Sequence, residues 1–298
     1  MRNTRTWAAA AAATLVLYGS TGCGPASSAE DDTAAASAAK VRTVVHDSSV
    51  TGLTRGKVEM YWTSEGMAAV ARDDAKDDLA QPAWTGGGAI AKTVGRLYAS
   101  GVDGNLGACT ATVIGVHTVI TAAHCVRTSV EGAPASEATW DMGLYFVPGY
   151  RSGTAPYGGF TVRRVRMAEN WQNYGLDVAM LEMNPGADGR SISEATGVQP
   201  VSFSGEPDTS TSTSTHFFGY PYTDRLLHCS GTGGWEADKA LRRVPCMMGV
   251  GSSGGPYISG DAATGSVIAV NISGGDDMSY GTALGAYAQS LYRQSEAG

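Results

Sequence analysis

The stretch CTATVIGVHTVITAAHC, residues 109–125, contains two short runs rich in β-branched residues on either side of Gly115. β-branched residues favour extended strands, and a glycine between two such runs favours a turn. The stretch therefore predicts two strands separated by a turn, and the second strand leads into His124 and Cys125.

Runs of the same kind recur along the chain after the break at Gly86, Gly87 and Gly88. Several alternate with period two, and their spacing predicts an all-β sandwich or barrel. The further runs are TVGRLYAS (93–100), LDVAMLEM (176–183), THFFGY (215–220) and GSVIAVNIS (265–273). Four apolar residues near the end lie at helical spacing and predict one C-terminal helix: Leu284, Tyr287, Ala288 and Leu291.

The composition agrees with many turns and short strands, because the chain of 298 residues has 40 glycines and only 16% charged residues. Its formal net charge is -7, and it has no basic stripe. A nucleic-acid partner is therefore not expected. No Cys/His cluster has the spacing of zinc ligands, so no metal is implied. No organic cofactor is implied either.

The N-terminus has the features of an export signal. Arg2 and Arg5 precede an apolar run, residues 7–18, that is 12 residues long. A membrane-spanning helix needs about 20 residues, so this run suits a signal-peptide core instead. We expect residues 1–23 to be the signal segment and the protein to be extracellular, either secreted or tethered to the outer face of a bacterial cell membrane.

Cys23 directly follows this segment and has two interpretations. It resembles a bacterial lipoprotein attachment site, with Gly22 fitting that pattern, although Ser20 stands where such signals usually have leucine. In that case Cys23 would carry a lipid and tether the protein to a membrane. Alternatively, ordinary cleavage after Ala29 would discard Cys23.

The residues between the signal and the first glycine break have an open role. Residues 24–40 are small and polar and predict a flexible tether. Residues 41–85 could be a pro-segment, a linker or an arm packed on the main domain. We place the main domain at residues 86–298.

Two motifs point to a family. Thr121-Ala122-Ala123-His124-Cys125 and Gly251-Ser252-Ser253-Gly254-Gly255-Pro256 resemble the signatures around the catalytic histidine and serine of the trypsin/chymotrypsin superfamily. The segment GLDVAML, which contains Asp177, resembles the aspartate segment of that family. Among the aspartates between the two motifs, Asp177 alone opens an apolar run; the others considered are Asp141, Asp188, Asp208, Asp224 and Asp238.

These residue types suit acyl transfer. A serine hydroxyl is a weak nucleophile and needs a base within hydrogen-bond reach. Histidine suits this role because its pKa lies near the working pH, and an aspartate orients its ring. The chain order His124, Asp177, Ser253 matches the trypsin-like order and excludes the subtilisin and α/β-hydrolase orders.

The resemblance implies a fold of two six-stranded antiparallel β-barrels with a C-terminal helix and an active site between the barrels. His124 and Asp177 would lie on the first barrel and Ser253 on the second. The N–H groups of Gly251 and Ser253 would form the oxyanion hole.

The resemblance also bears on the cysteines, whose connectivity the sequence alone leaves open. It implies a disulfide between Cys109 and Cys125 beside the histidine, which leaves Cys229 and Cys246 for a second one. Two disulfides suit an oxidising compartment.

The sequence departs from trypsin at two positions and from V8-like enzymes at a third. Ser252 stands where trypsin-like enzymes have the aspartate that pairs with the new N-terminus. Met247 replaces the aspartate that binds basic side chains, and Asn271 stands where V8-like enzymes often have a histidine for glutamate. The neutral Ser252, with Gly219-Tyr220-Pro221, makes the chain more similar to the bacterial V8-like branch of glutamyl endopeptidases.

The sequence therefore predicts a monomeric serine endopeptidase that acts on peptides or proteins. By resemblance, Ile272, Ser273 and Gly274 would pair with the substrate backbone and form one wall of the pocket, with Met247 and Asn271 nearby. Two other hypotheses are a catalytically silent homologue that binds a partner and an esterase that uses the same three residues.

Overall fold

A computed structural model of the protein describes residues 41–68, 70, 81–101, 104–129, 135–205, 214–275 and 277–298. The predicted signal segment, Cys23 and the tether at 24–40 lie outside the described residues. The strands are β1 (Thr43–Asp47), β2 (Val94–Ser100), β3 (Leu106–Val113), β4 (Thr118–Thr121), β5 (Arg127–Thr128), β6 (Thr139–Trp140), β7 (Met142–Pro148), β8 (Phe160–Ala168), β9 (Ala179–Met183), β10 (Ser214–Gly219), β11 (Leu227–Thr232), β12 (Gly234–Glu236), β13 (Leu241–Val244), β14 (Pro256–Ser259), β15 (Ser266–Gly275) and β16 (Met278–Ala283).

The helices are few and mostly short. They are α1 (Arg55–Tyr61), α2 (Ser64–Ala68), α3 (Ile90–Thr93), α4 (Ile192–Thr196) and α5 (Ala286–Ala297). Short 3-10 turns lie at Ser48–Thr51, Ala123–Cys125, Ala135–Glu137, Tyr174–Leu176 and Ala237–Lys239. No helix in the described part of the chain is long and apolar enough to cross a membrane.

The first large sheet is a closed antiparallel barrel. Its strand order is β1-β8-β7-β2-β3-β4-β9, and β9 also pairs with β8, so six of its strands close on themselves and β1 lies outside the ring. Leu97, Phe146, Phe160 and Leu181 are buried in its core. This is the first of the two barrels that the sequence predicts.

The second large sheet is a curled half-barrel with the order β11-β10-β14-β15-β16-β13-β12. It has seven strands where the resemblance implies six, because the short strand β12 extends the edge beside β13. The two sheets and helix α5 confirm the predicted two-barrel, all-β architecture with a C-terminal helix.

One apolar cluster joins the two barrels. It contains Tyr98 and Val147 of the first barrel and Phe218 and Ile258 of the second, each with no exposed surface. The shared burial of these side chains stabilises the interface between the barrels, since apolar burial contributes about 25 cal/mol per Å². The interface holds the cleft in which the predicted catalytic residues lie.

The segment before residue 86 packs on both barrels. Strand β1 pairs with β8, and the indole N–H of Trp62 donates to the carbonyl oxygen of Gly143 (2.6 Å). The amide of Trp84 donates to the carbonyl oxygen of Leu226 (2.8 Å) on the second barrel. These contacts are those of a packed arm, and its release as a pro-segment stays a prediction.

Candidate active site

The register of two strands brings His124 and Asp177 together. Strand β4 ends at Thr121, and β9 begins at Ala179, and these two residues are paired in the antiparallel ladder. His124 lies in the 3-10 turn that follows β4, while Asp177 lies at the end of the 3-10 turn that precedes β9. Two segments distant in sequence therefore meet at one edge of the first barrel.

The carboxylate of Asp177 holds His124 at two points. Oδ2 lies 2.8 Å from Nδ1 of the imidazole, and Oδ1 accepts a hydrogen bond from the backbone N–H of His124 (3.0 Å). The carboxylate of Asp177 accepts only, so Nδ1 carries the proton that it shares with Asp177. The other ring nitrogen, Nε2, is then available as a base.

The electrostatics of this pair favour the imidazolium. Burial of the His124 ring lowers its pKa, but the charge and the hydrogen bond of Asp177 raise it, as does the charge of Asp141. The net result is a pKa of His124 above its ordinary value. A carboxylate in this place stabilises the ring after it has accepted a proton.

His124 and Ser253 line the same cleft, which has a volume of about 210 Å³. In the described residues no hydrogen bond joins their side chains; such bonds are often loose before substrate binds. The cleft is also lined by Leu97, Ala99, Gly107, Ala108, Cys109, Cys125, Thr128, Asp141, Tyr222, Val250 and Gly251. The structure thus brings the predicted base and nucleophile to one site.

The loop around Ser253 is shaped by glycines. Gly251 and Gly254 have φ of 97° and 78°, a region that favours glycine. A Cβ at Gly254 would also lie 2.1 Å from Oγ1 of Thr121. The loop can therefore approach the first barrel closely only because this position lacks a side chain.

The N–H groups of the two predicted oxyanion residues are not used in bonds among the described residues. In the part of the chain that the structure describes, the N–H groups of Gly251 and Ser253 have no hydrogen-bond acceptor. A buried N–H group without an acceptor costs free energy, and a ligand oxygen can supply the missing acceptor. A pair of such groups beside a cleft is therefore suited to bind a negatively charged oxygen.

Both predicted disulfides are confirmed: Cys109 bonds to Cys125 and Cys229 bonds to Cys246. The first lies beside His124, and its sulfur atoms approach the imidazole closely. A disulfide offers no thiolate for a metal ion, so this group of three residues is not a metal-ligand set.

Ser252 holds the loop without a charge. Its side chain is buried, and its hydroxyl donates to the carbonyl oxygen of Gly249 (2.8 Å). Trypsin-like enzymes usually have an ion-paired aspartate at this position. Here a local hydrogen bond within the loop takes its place.

Two of the predicted substrate-binding residues are buried. The amide nitrogen of Asn271 has three acceptors within reach of its two N–H groups: Oη of Tyr257 and the carbonyl oxygens of Ser273 and Tyr280, at 3.0–3.3 Å. This internal network leaves the amide no free donor for a substrate. Ile272 is also buried and packs into the core of the first barrel, so only its backbone could contact a peptide.

The other predicted pocket residues are more accessible. Ser273 and Gly274 are exposed on β15, and Met247 is 43% exposed beside Gly274. Met247 lines a different cavity from the one that contains His124 and Ser253. Ser273 and Gly274 do not line that 210 Å³ cavity either.

Several residues of the cleft carry no sequence signal. Thr128 donates to both carboxylate oxygens of Asp141 (2.9 and 3.1 Å), and Asp141 is buried in the cleft wall. Tyr222 and Val250 also line the cleft. None of these residues lies in the two motifs, and the sequence analysis considered Asp141 only as an alternative to Asp177.

Comparison with known proteins gives the family. The trypsin-like peptidase domain matches residues 109–270, a range that includes His124, Asp177 and Ser253. Among curated proteins, none matches this chain.

Three solved structures share the fold. The protease Anisep from Arthrobacter nicotinovorans is 30% identical, with a TM-score of 0.59, and the match covers 70% of this chain and 96% of that one. The thermostable serine protease AL20 from an extremophilic microorganism is 23% identical (TM-score 0.61; 70% and 99% covered). A Glu endopeptidase is 18% identical (TM-score 0.59; 75% and 100% covered). At these two lower identities the likeness is one of fold alone.

Proposed function

Since this chain belongs to the family of trypsin-like peptidases, we propose that it is an exported serine endopeptidase in which Ser253, His124 and Asp177 form the catalytic triad. The observation that carries the proposal is the double hold of Asp177 on the ring and the backbone of His124. It leaves Nε2 as the base for a serine that lines the same cleft.

The reaction proceeds in two halves. Oγ of Ser253 attacks the carbonyl carbon of the peptide bond while Nε2 of His124 takes the hydroxyl proton. The N–H groups of Gly251 and Ser253 donate to the resulting oxyanion. His124 then gives its proton to the leaving amine, and an acyl-enzyme remains.

Water completes the cycle. His124 takes a proton from the water molecule as it attacks the acyl-enzyme, and the ring then returns that proton to Oγ of Ser253. The acid product leaves and the serine is restored. Throughout, Asp177 stabilises the imidazolium and keeps the ring oriented, which agrees with the raised pKa of His124.

The acyl side of the substrate would lie along β15. We propose that the backbone of Ile272, with Ser273 and Gly274, pairs with the peptide and that Met247 borders the pocket. None of these residues is charged. The site therefore suits an uncharged side chain before the cleaved bond, and a peptide-library digest would show this preference directly.

Export is supported by the two disulfides, since such bonds persist in oxidising compartments. Lipidation of Cys23 would tether the protein to a membrane. Metabolic labelling with a fatty acid tests this: a wild-type protein that takes up no lipid would refute the tether, and a Cys23→Ser variant is the control.

A fluorophosphonate probe tests the triad. The wild-type protein should be labelled, whereas Ser253→Ala and His124→Ala should not, because the probe needs an activated serine. Ser204→Ala is the matched control, since this serine is exposed and does not line the cleft of His124 and Ser253, and it should still be labelled. An unlabelled but folded wild type would instead support a silent homologue, and turnover of esters without peptides would support an esterase.

A further inference from the structure

Thr110 belongs to the first barrel but bonds to the loop that carries the nucleophile. It lies on β3 with no exposed surface. Its hydroxyl donates to the carbonyl oxygen of Gly251 (3.0 Å), and its backbone N–H donates to the carbonyl oxygen of Ser253 (2.8 Å). One residue thus contacts both members of the proposed oxyanion hole.

The hydroxyl of Thr110 has a second partner. It accepts a hydrogen bond from the backbone N–H of Tyr220 (2.9 Å), which follows strand β10 of the second barrel. On the other side of the residue, the carbonyl oxygen of Thr110 accepts from Oγ1 of Thr121 (2.9 Å), on the strand that leads to His124. Every polar group of Thr110 therefore has a partner, and each partner belongs to a segment beside the cleft.

Gly251 needs such an external hold. Its φ is 97°. Because glycine has no side chain, its backbone has more conformational freedom than that of any other residue type. The direction of its N–H depends on that backbone conformation. A bond that fixes the carbonyl of Gly251 therefore also restricts where the N–H of the same residue points.

We propose that Thr110 is a positioning residue for the oxyanion hole: by holding the carbonyl oxygens of Gly251 and Ser253, it keeps the N–H groups of these residues directed at the cleft. The proposal rests on the proposed function. Threonine suits this task because a hydroxyl donates and accepts at once. Valine has the same shape and can do neither.

Thr112 provides a matched control. It lies two residues further along β3, and it is also completely buried. Its hydroxyl has no hydrogen-bond partner in the described part of the chain. A Thr→Val change at either position keeps the shape of the side chain, but only the change at 110 removes bonds to the nucleophile loop.

The experiment compares Thr110→Val, Thr110→Ser and Thr112→Val in the full-length protein with a peptide substrate. We expect kcat of Thr110→Val to fall about 10- to 100-fold, less than the roughly 10²–10³ for loss of a whole oxyanion donor, with KM changed by less than about twofold. Thr110→Ser keeps the hydroxyl and should restore most of kcat, and Thr112→Val should match the wild type.

A transition-state analogue separates positioning from a purely structural role. Peptide trifluoromethyl ketones form a tetrahedral adduct with an oxyanion, whereas the cleaved product peptide does not. Thr110→Val should lose affinity for the ketone in proportion to its loss of kcat and keep its affinity for the product. If Thr110→Val does not fold, Thr110→Ala is measured in the same way.

Two results overturn the proposal. One is a kcat for Thr110→Val equal to that of Thr112→Val, and the other is a change confined to KM or to thermal stability. Failure of the proposed function looks different, because the wild type itself would then not react with the fluorophosphonate probe, and both proposals would be refuted together.

Discussion

The first barrel and the second barrel hold the proposed catalytic groups by different means. On the first barrel a side chain positions the catalytic group, because the carboxylate of Asp177 binds both the ring and the backbone of His124. On the second, Ser253 is held through its backbone, with its carbonyl oxygen bonded to the N–H of Thr110 (2.8 Å) and the N–H of Gly254 bonded to the carbonyl oxygen of Asn271 (2.7 Å).

This difference follows from what each group must do. The imidazole gains and loses a proton, so it needs a charged partner that responds to its charge. The oxyanion donors carry no changing charge and need a fixed direction, which backbone geometry provides. Damage to the first barrel's site should therefore alter proton transfer, whereas damage to the second should alter alignment.

The largest effect should come from Asp177→Asn. The amide can still accept from the backbone N–H of His124, but its nitrogen cannot accept from Nδ1, so the ring would adopt the wrong tautomer. We expect kcat to fall about 10⁴-fold with the fold retained. Steady-state kinetics measures kcat, and circular dichroism checks that the fold is retained. A variant with kcat within tenfold of the wild-type value would contradict the role of Asp177.

Gly254→Ala tests whether backbone geometry positions Ser253 on the second barrel. The added Cβ would lie 2.1 Å from Oγ1 of Thr121 and 2.2 Å from the carbonyl oxygen of Thr110, so the nucleophile loop must shift. A displacement of about 1 Å can cost roughly 10²-fold in rate, and we expect a loss of kcat of about that size.

Gly260→Ala is the control for backbone strain. Gly260 also has a positive φ, 93°, but its Cβ would lie 3.8 Å from the nearest atom, the Cα of Gly265. This variant should lose about 1–2 kcal/mol of stability and keep its kcat. Equal kcat values for the two variants would show that close approach to the first barrel is irrelevant to catalysis.

The same contrast explains what the sequence could predict. His124, Asp177 and Ser253 act through their own side chains, and two of them lie in motifs whose residue types state the chemistry. The all-β class was predictable from the recurring β-branched runs, whereas the disulfide pairing followed from the resemblance to the family. The residues that hold the loop through backbone groups give no such signal, since Thr110 is one threonine among several in β-branched runs.

The substrate pocket shows a second limit of prediction from the sequence. Counting along the sequence reached Asn271, but that count cannot reveal that its amide nitrogen already faces Tyr257 and two carbonyl groups. Likewise, Asp141 lies between β6 and β7, and its backbone N–H donates to the carbonyl oxygen of Val126 (3.1 Å), a contact beside the cleft that no sequence pattern predicts.

Asp141 provides the smallest and most specific test of the first barrel. Its charge raises the pKa of His124, in addition to the larger effect of Asp177. Catalysis requires the neutral ring, so a raised pKa places the acid limb of the kcat/KM profile at higher pH. Asp141→Asn removes the charge while Oδ1 still accepts from Thr128, and the acid limb should move to lower pH.

The control for this shift is Asp188→Asn, which removes an equal charge from an exposed side chain that pairs with Arg190 outside the cleft. Its acid limb should coincide with that of the wild type, because solvent and salt screen distant charges. A shift in both variants would indicate a general effect of net charge. A shift to higher pH in Asp141→Asn would mean that the field at His124 is not set by the carboxylates of the first barrel, and the contrast between the barrels would fail.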